Sequence, residues 1–135
     1  MANALYDAGR EAFLNGDIDW TNDDIRVILV DAADYTVNLS THDFLDDVIA
    51  GARVATSSAL SGKTTTAGVA DASDVTFSTV TGDVSEALII YKHTGTESTS
   101  ALIAYIDTAT GLPVTPNGGN ITVTWDNGAN KIFKL

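Results

Sequence analysis

The sequence lacks several features on which whole classes of function depend. It has no cysteine, which excludes disulfides and thiolate chemistry and suits a protein folded in a reducing cytoplasm. Its apolar runs fall far short of the about 20 residues that a membrane-spanning helix needs. The N-terminus has neither the basic segment nor the apolar stretch of a secretion signal. We therefore expect no membrane association and no export.

Basic residues are also scarce. Seven Lys and Arg stand against eighteen Asp and Glu, which gives a formal net charge of −11. A chain of this charge repels phosphate backbones, and its few cations are scattered along the sequence, so we expect no nucleic-acid partner. The same charge favours solubility, at some cost in self-repulsion.

The sequence also lacks a recognisable catalytic constellation. There is no Gly-x-Ser-x-Gly element, and the only imidazoles are His42 and His93, which we expect at the surface or in a cap. Gly62-Lys63-Thr64 resembles the end of a phosphate-binding loop, but the first glycine of that motif is missing. The paired carboxylates lie in hydrophilic segments, where no apolar pocket would raise a pKa for acid catalysis; they are Asp23 with Asp24, Asp46 with Asp47, and Asp71 with Asp74. We expect no enzyme activity, no cofactor and no catalytic or metal-binding residues.

One apolar stretch, residues 24–31, predicts the strand around which the rest is organised. Ile25, Val27 and Leu29 face one side of such a strand, and Arg26, Ile28 and Val30 face the other. Because both faces are apolar after the arginine, the strand must be covered on both sides. At 135 residues the chain is one domain by size, long enough to bury a self-sufficient core.

The sequence after Arg53 has strand character throughout. Candidate strands, separated by glycine and aspartate, recur every 10–15 residues with no helical pattern between them; they are residues 53–56, 75–80, 87–91, 101–106 and 121–125. This spacing predicts an antiparallel β-sandwich or jelly-roll-like barrel over residues 24–135. Asn127-Gly128 indicates a type I′ turn, so we expect residues 121–125 to form a hairpin with 131–133.

Two short helices are also predicted. The first covers residues 3–14, with Asn3 as N-cap and Asn15-Gly16 as a stop, within an N-terminal arm over residues 1–16. It either lies over the β body or docks on a neighbouring subunit, and in the second case Leu5, Tyr6 and Phe13 are the expected subunit interface. The second helix, of about two turns, covers residues 41–48 after a capping box at residues 40–43.

The acidic loop 17–24 has two interpretations. Counted from Asp17, it lacks the glycine at position 6 and the glutamate at position 12 that a helix–loop–helix calcium site requires. An irregular calcium site stays open, since hard cations accept any oxygen cage. The preferred interpretation is a solvated turn whose Asp and Asn side chains bond nearby amides. We expect Trp20 beside it to pack in the core.

Segments spread over nearly the whole chain resemble a known family at the level of fold. They are residues 13–20, 24–30, 35–38, 41–45, 74–77, 87–92, 102–107 and 121–125. Together they resemble a family of small structural proteins of tailed bacteriophages, described as virion or capsid-associated proteins. The modest helix-forming quality of Ala8-Gly9 is the clearest departure from the pattern.

The resemblance implies a role in the virion. We expect a capsid decoration or cement protein, made in the host cytoplasm, that binds the major capsid protein and self-associates as a dimer or trimer. A tail, baseplate or fibre-associated component of the same particle is the main alternative. A glycan-binding module that uses exposed Trp and Tyr is a third hypothesis.

Overall fold

The computed structural model describes residues 4–135 and is mainly β, with a single α-helix in that range. The strands are β1 Ala4–Leu5, β2 Ile25–Val30, β3 Arg53–Thr56, β4 Val69–Ala70, β5 Val75–Phe77, β6 Ala87–Lys92, β7 Leu102–Ile106, β8 Ile121–Val123 and β9 Phe133–Lys134. The helix, α1, is Asp7–Asn15. Single 3-10 turns occur at Leu45–Asp47, Ala50–Ala52, Thr66–Gly68 and Glu97–Thr99. No helix in the described range is long and apolar enough to cross a membrane.

The main structural element is a five-stranded antiparallel sheet with the order β1-β7-β6-β2-β3. β2 pairs with β6 over its whole length, from Ile25 opposite Lys92 to Val30 opposite Ala87. β6 is therefore the middle strand, and β2 lies beside it. Two separate ladders, β4 with β9 and β5 with β8, are also antiparallel.

The expected alternation of β2 is confirmed. Ile25, Val27 and Leu29 belong to one hydrophobic cluster, whereas Ile28 and Val30 belong to a second cluster on the opposite face. All five side chains are fully buried. Burying each one stabilises the fold by about 1.5–3 kcal/mol, so this strand alone accounts for a large part of the core.

Each face of the sheet is covered by a different part of the chain. The first face packs against residues of the two small ladders and against both tryptophans, Trp20 and Trp125, which are buried as the sequence predicts for Trp20. The second face packs against Tyr6, Tyr35 and the segment that contains Leu45 and Val48. The sheet is therefore the middle of the molecule, with apolar clusters on both sides.

The first helix is shorter than predicted at its start. Residues 4 and 5 form an edge strand, because Ala4 pairs with Tyr105 of β7, and α1 begins only at Asp7. The predicted N-cap, Asn3, lies outside the described residues. The predicted stop is confirmed, since Gly16 has a φ of 78° and its N–H bonds back to the last turn.

The predicted helix over residues 41–48 is wrong. Only the single 3-10 turn Leu45–Asp47 forms there, because the backbone before it pairs with the chain beside β7. The Leu102 N–H donates to the Asp43 carbonyl, and the Leu45 N–H donates to the Ser100 carbonyl. These strand-like bonds use the groups that a helix would need, so tertiary pairing overrides the capping pattern.

The predicted C-terminal hairpin is also wrong. β8 pairs with β5, and β9 pairs with β4, so the two segments do not pair with each other. Asn127 and Gly128 lack the positive φ angles of a type I′ turn. The Asp126 carboxylate instead accepts a bond from the Gly128 N–H, and the Trp125 N–H donates to the Asp74 carboxylate.

Gly9 is a poor helix former inside α1, and its close contact with β7 explains its presence there. A Cβ at this position would lie 2.7 Å from the Leu102 carbonyl oxygen and 2.9 Å from the Ile103 Cα. The absence of a side chain thus lets the helix backbone rest directly on β7.

We expect Gly9→Ala to destabilise the protein although alanine favours helices. Overpacking against fixed backbone costs about 1–3 kcal/mol, more than the up to about 1 kcal/mol gained in helix propensity. Urea denaturation followed by circular dichroism measures the change. Gly51→Ala is the matched control, because no atom lies within 4 Å of the added Cβ, and its midpoint should stay near wild type. An equal midpoint for both variants would contradict the close helix–sheet contact.

Candidate functional site

The three predicted interface residues are all at least partly buried in the chain's own fold. Leu5 and Tyr6 are buried on opposite faces of the sheet. Phe13 is half-buried, with its ring centroid 5.9 Å from that of Phe133. The subunit interface stays a prediction, and of the three side chains only Phe13 offers appreciable free surface to a partner.

A chain of hydrogen-bonded side chains runs from the core to the surface. The Tyr6 and Tyr35 hydroxyls are 2.8 Å apart, and the Tyr35 hydroxyl is 2.7 Å from Nδ1 of His42. The Asn38 N–H also donates to this Nδ1, at 3.3 Å. Sequence reasoning missed this chain because Tyr6 and Tyr35 are 29 residues apart and carry no local pattern. His42 is half-exposed at its outer end, which agrees with the expected surface position.

Burial and hydrogen bonding determine the protonation states of the Tyr6 and Tyr35 hydroxyls and of the His42 ring. Burial raises the pKa of the Tyr6 hydroxyl far above its usual value, and raises the pKa of Tyr35 to about 12. Both hydroxyls therefore stay protonated and act as donors near neutral pH. Because Nδ1 of His42 receives the Tyr35 and Asn38 donors, the ring proton is on Nε2. Neither ring nitrogen of His42 then offers a free lone pair. While these hydrogen bonds are intact, His42 is therefore not suited to act as a metal ligand or a general base.

The acidic loop 17–24 is a hydrogen-bonded turn, as preferred from the sequence. The Asp19 carboxylate accepts bonds from the backbone and side chains of Thr21 and Asn22. The side-chain bonds from Asn22 and Thr21 lower the pKa of Asp19. Asp23 also caps the turn, because its carboxylate accepts the Asp19 N–H. The irregular calcium site stays an untested alternative.

Two groups of three carboxylates have oxygens within 4.8 Å of one another. They are Asp31, Asp34 and Asp83, and the carboxylate trio Asp43, Asp46 and Asp47. In the trio, burial and the neighbouring Asp47 carboxylate raise the pKa of Asp43, while the Asp43 N–H lowers that of Asp47. In the other two predicted carboxylate pairs, side chains bond to groups of the same chain. Asp24 forms an ion pair with Arg26 at 2.9 Å, and Asp74 accepts a hydrogen bond from the Trp125 N–H.

Four of the seven cations fasten loops of the same chain. Arg53 is the most connected, because its guanidinium bonds the Leu45 and Val48 carbonyls and pairs with Glu97 at 2.9 Å. Lys92 donates to the Asp17 carbonyl, and Arg26 pairs with Asp24. Lys63 donates to the Asp23 carbonyl, and no α-helix follows it, so the Gly62-Lys63-Thr64 segment does not adopt a phosphate-binding loop.

Neither a scan of the chain against protein-family models nor a search of curated proteins found a match.

Hydrogen bonds run in order from Tyr6 through Tyr35 to His42. This order predicts that removing the two tyrosine hydroxyls lowers the free energy of unfolding by unequal amounts. Tyr35→Phe should lower the free energy of unfolding by about 1–3 kcal/mol, because it leaves the buried Tyr6 hydroxyl without its hydrogen-bond partner. Tyr6→Phe should lower the free energy of unfolding by less, since the Tyr35 hydroxyl keeps its hydrogen bond to His42. The double variant Tyr6→Phe/Tyr35→Phe should be more stable than the sum of both costs predicts. A double-mutant cycle by urea denaturation measures the coupling, and additive costs would show that the hydroxyls do not interact.

Asp43→Asn should stabilise the protein at pH 7. A carboxyl group whose pKa is raised by folding stabilises the fold below its unfolded value of about 3.9, and this contribution is lost as pH rises through the folded pKa. Asparagine removes the repulsion from Asp47. Because Asp43 is exposed and Asp47 only partly buried, we expect Tm to rise by about 1–2 °C at pH 7. Thermal unfolding at pH 3 and pH 7 tests this. The advantage should vanish at pH 3, and an equal gain at both values would assign it to another cause.

Proposed function

We propose that this protein is a structural component of a tailed-phage virion, and specifically a decoration or cement protein on the outer surface of the capsid. The observation that carries the proposal is the five-stranded sheet with an apolar cluster on each face, because these clusters take up most of the large apolar side chains of residues 4–135. The large apolar side chains that are exposed instead are Leu14, Ile49, Val84 and Leu135.

His42 is held by hydrogen bonds from Tyr35 and Asn38, and the paired carboxylates are tied into local hydrogen bonds and ion pairs or lie on the surface, which suits a protein that acts by shape and adhesion. The second histidine, His93, is partly buried rather than at the expected surface position, and its Nδ1 has no hydrogen-bond partner among the described residues. The resemblance of its segments to phage structural proteins supports the same role.

The charge of the chain suits a capsid partner. At −11, the protein has an acidic surface that would complement basic patches of a major capsid protein and would avoid the packaged DNA. A decoration protein needs only modest contacts at each site, because many copies bind one particle and multivalency multiplies weak affinities. A core that is complete within one chain allows the protein to fold before it binds.

For the architecture we infer a sandwich-like arrangement with jelly-roll character. In support, β5, β8 and β4 contribute Val75, Phe77, Val123 and Ala70 to the cluster on one face of the five-stranded sheet, and Ile132, next to β9, joins the same cluster. The two small ladders then correspond to the second layer of the sandwich, over a single domain of residues 1–135.

A tail, baseplate or fibre-associated role is the second candidate, because the same self-contained β body would serve there. The glycan-binding hypothesis is weaker. A glycan platform needs exposed aromatic rings, whereas Trp20 and Trp125 are only 4% and 5% exposed.

Separation of purified virions into heads and tails tests the assignment. We expect an antibody against the chain to detect it with the head fraction, and gel densitometry to give many copies per particle. Recombinant protein should also rebind heads from which it has been stripped. Detection only in tails would favour the second candidate, and absence from the particle would overturn the proposal.

A further inference from the structure

The cations that do not fasten loops lie together. Arg10, Lys131 and Lys134 all line one surface groove of about 320 Å³ between β1, α1 and β9. Among residues 4–135, Arg10 and Lys134 make no ion pair and no side-chain hydrogen bond, and both are exposed. Lys131 has only a distant partner, since its ammonium is 3.9 Å from the Asp71 carboxylate.

The groove combines these charges with an apolar floor. Leu5, Ile132 and Phe133 contribute to its lining, and the first two are buried. One carboxylate, Asp126, also lines it and already accepts a bond from the Gly128 N–H. A basic groove in an otherwise acidic molecule suits an anionic partner, because guanidinium and ammonium groups bond carboxylates most strongly where water is partly displaced.

The chain itself carries a complementary surface. In the carboxylate trio of Asp43, Asp46 and Asp47, three carboxylates lie within 4.8 Å of one another, and no Lys or Arg of the described residues pairs with them. Asp46 is exposed. A cation from another molecule would relieve their mutual repulsion.

We propose that the basic groove of one copy binds the carboxylate trio of a second copy. A two-fold axis would form this contact twice in one dimer. The net charge of −11 does not prevent it, because at physiological salt the Debye length is about 8 Å and distant charges are screened while the local contact is not. This inference is independent of the proposed role in a virion.

Complementary charge reversal tests the contact in the full-length chain. The groove variant is Arg10→Glu/Lys134→Glu, and the trio variant is Asp43→Lys/Asp46→Lys. Sedimentation velocity should show the wild type as a concentration-dependent dimer, and each variant alone should bind itself at least tenfold more weakly. A mixture of the two variants should regain dimerisation, because each wild-type surface then meets its complement and the two reversed surfaces also attract.

Asp34→Lys/Asp83→Lys is the matched control, because it makes the same charge change at two exposed carboxylates outside the trio. It should dimerise like wild type. Circular dichroism checks the fold of each variant, and Arg10→Gln/Lys134→Gln replaces the groove variant if that one fails to fold. A wild type that stays monomeric at about 1 mM overturns the proposal; if such a monomer binds polyglutamate, the groove serves a different acidic protein. Dimers unaffected by either reversal, or no recovery in the mixture, also overturn it.

Discussion

The need to cover both faces of β2 and β6 organises this molecule. A strand with apolar side chains on both sides is stable only between two hydrophobic layers. Here the tryptophans and the small ladders supply one layer, and the tyrosines with the segment around Val48 supply the other. Long connections cross both faces of the sheet. Isolated backbone bridges such as Phe44 opposite Ala101 hold some of them, and side chains such as Arg53 hold others.

Scarce cations fasten several of these connections. Arg53 joins the turn at residues 45–48 to the turn that holds Glu97, and Lys63 and Lys92 hold the acidic loop 17–24 through backbone carbonyls. In a chain with a net charge of −11, each cation placed inside the fold also reduces repulsion between neighbouring carboxylates. The three cations left over, Arg10, Lys131 and Lys134, line a single groove of an otherwise acidic chain.

Two buried tyrosine hydroxyls have hydrogen-bond partners that the sequence does not reveal. Tyr6 and Tyr35 bury their rings in the second cluster and satisfy their hydroxyls through each other and His42. Each residue alone is consistent with a surface or a core position. Only the fold brings the three together, because they come from the start of α1, from a connection and from the segment beyond it.

The sequence by itself determined the features that depend on local pattern. These are the alternation of β2, the existence of most strands, the end of α1 at Gly16 and the burial of Trp20. The tertiary structure decided which segments pair with each other through backbone hydrogen bonds. Residues 121–123 join β5 rather than the nearby C-terminal segment, and residues 43–45 bond beside β7 rather than form a helix. The physical reason is that backbone hydrogen bonds are nearly equal in strength wherever they form, so buried apolar contacts between distant segments choose among them.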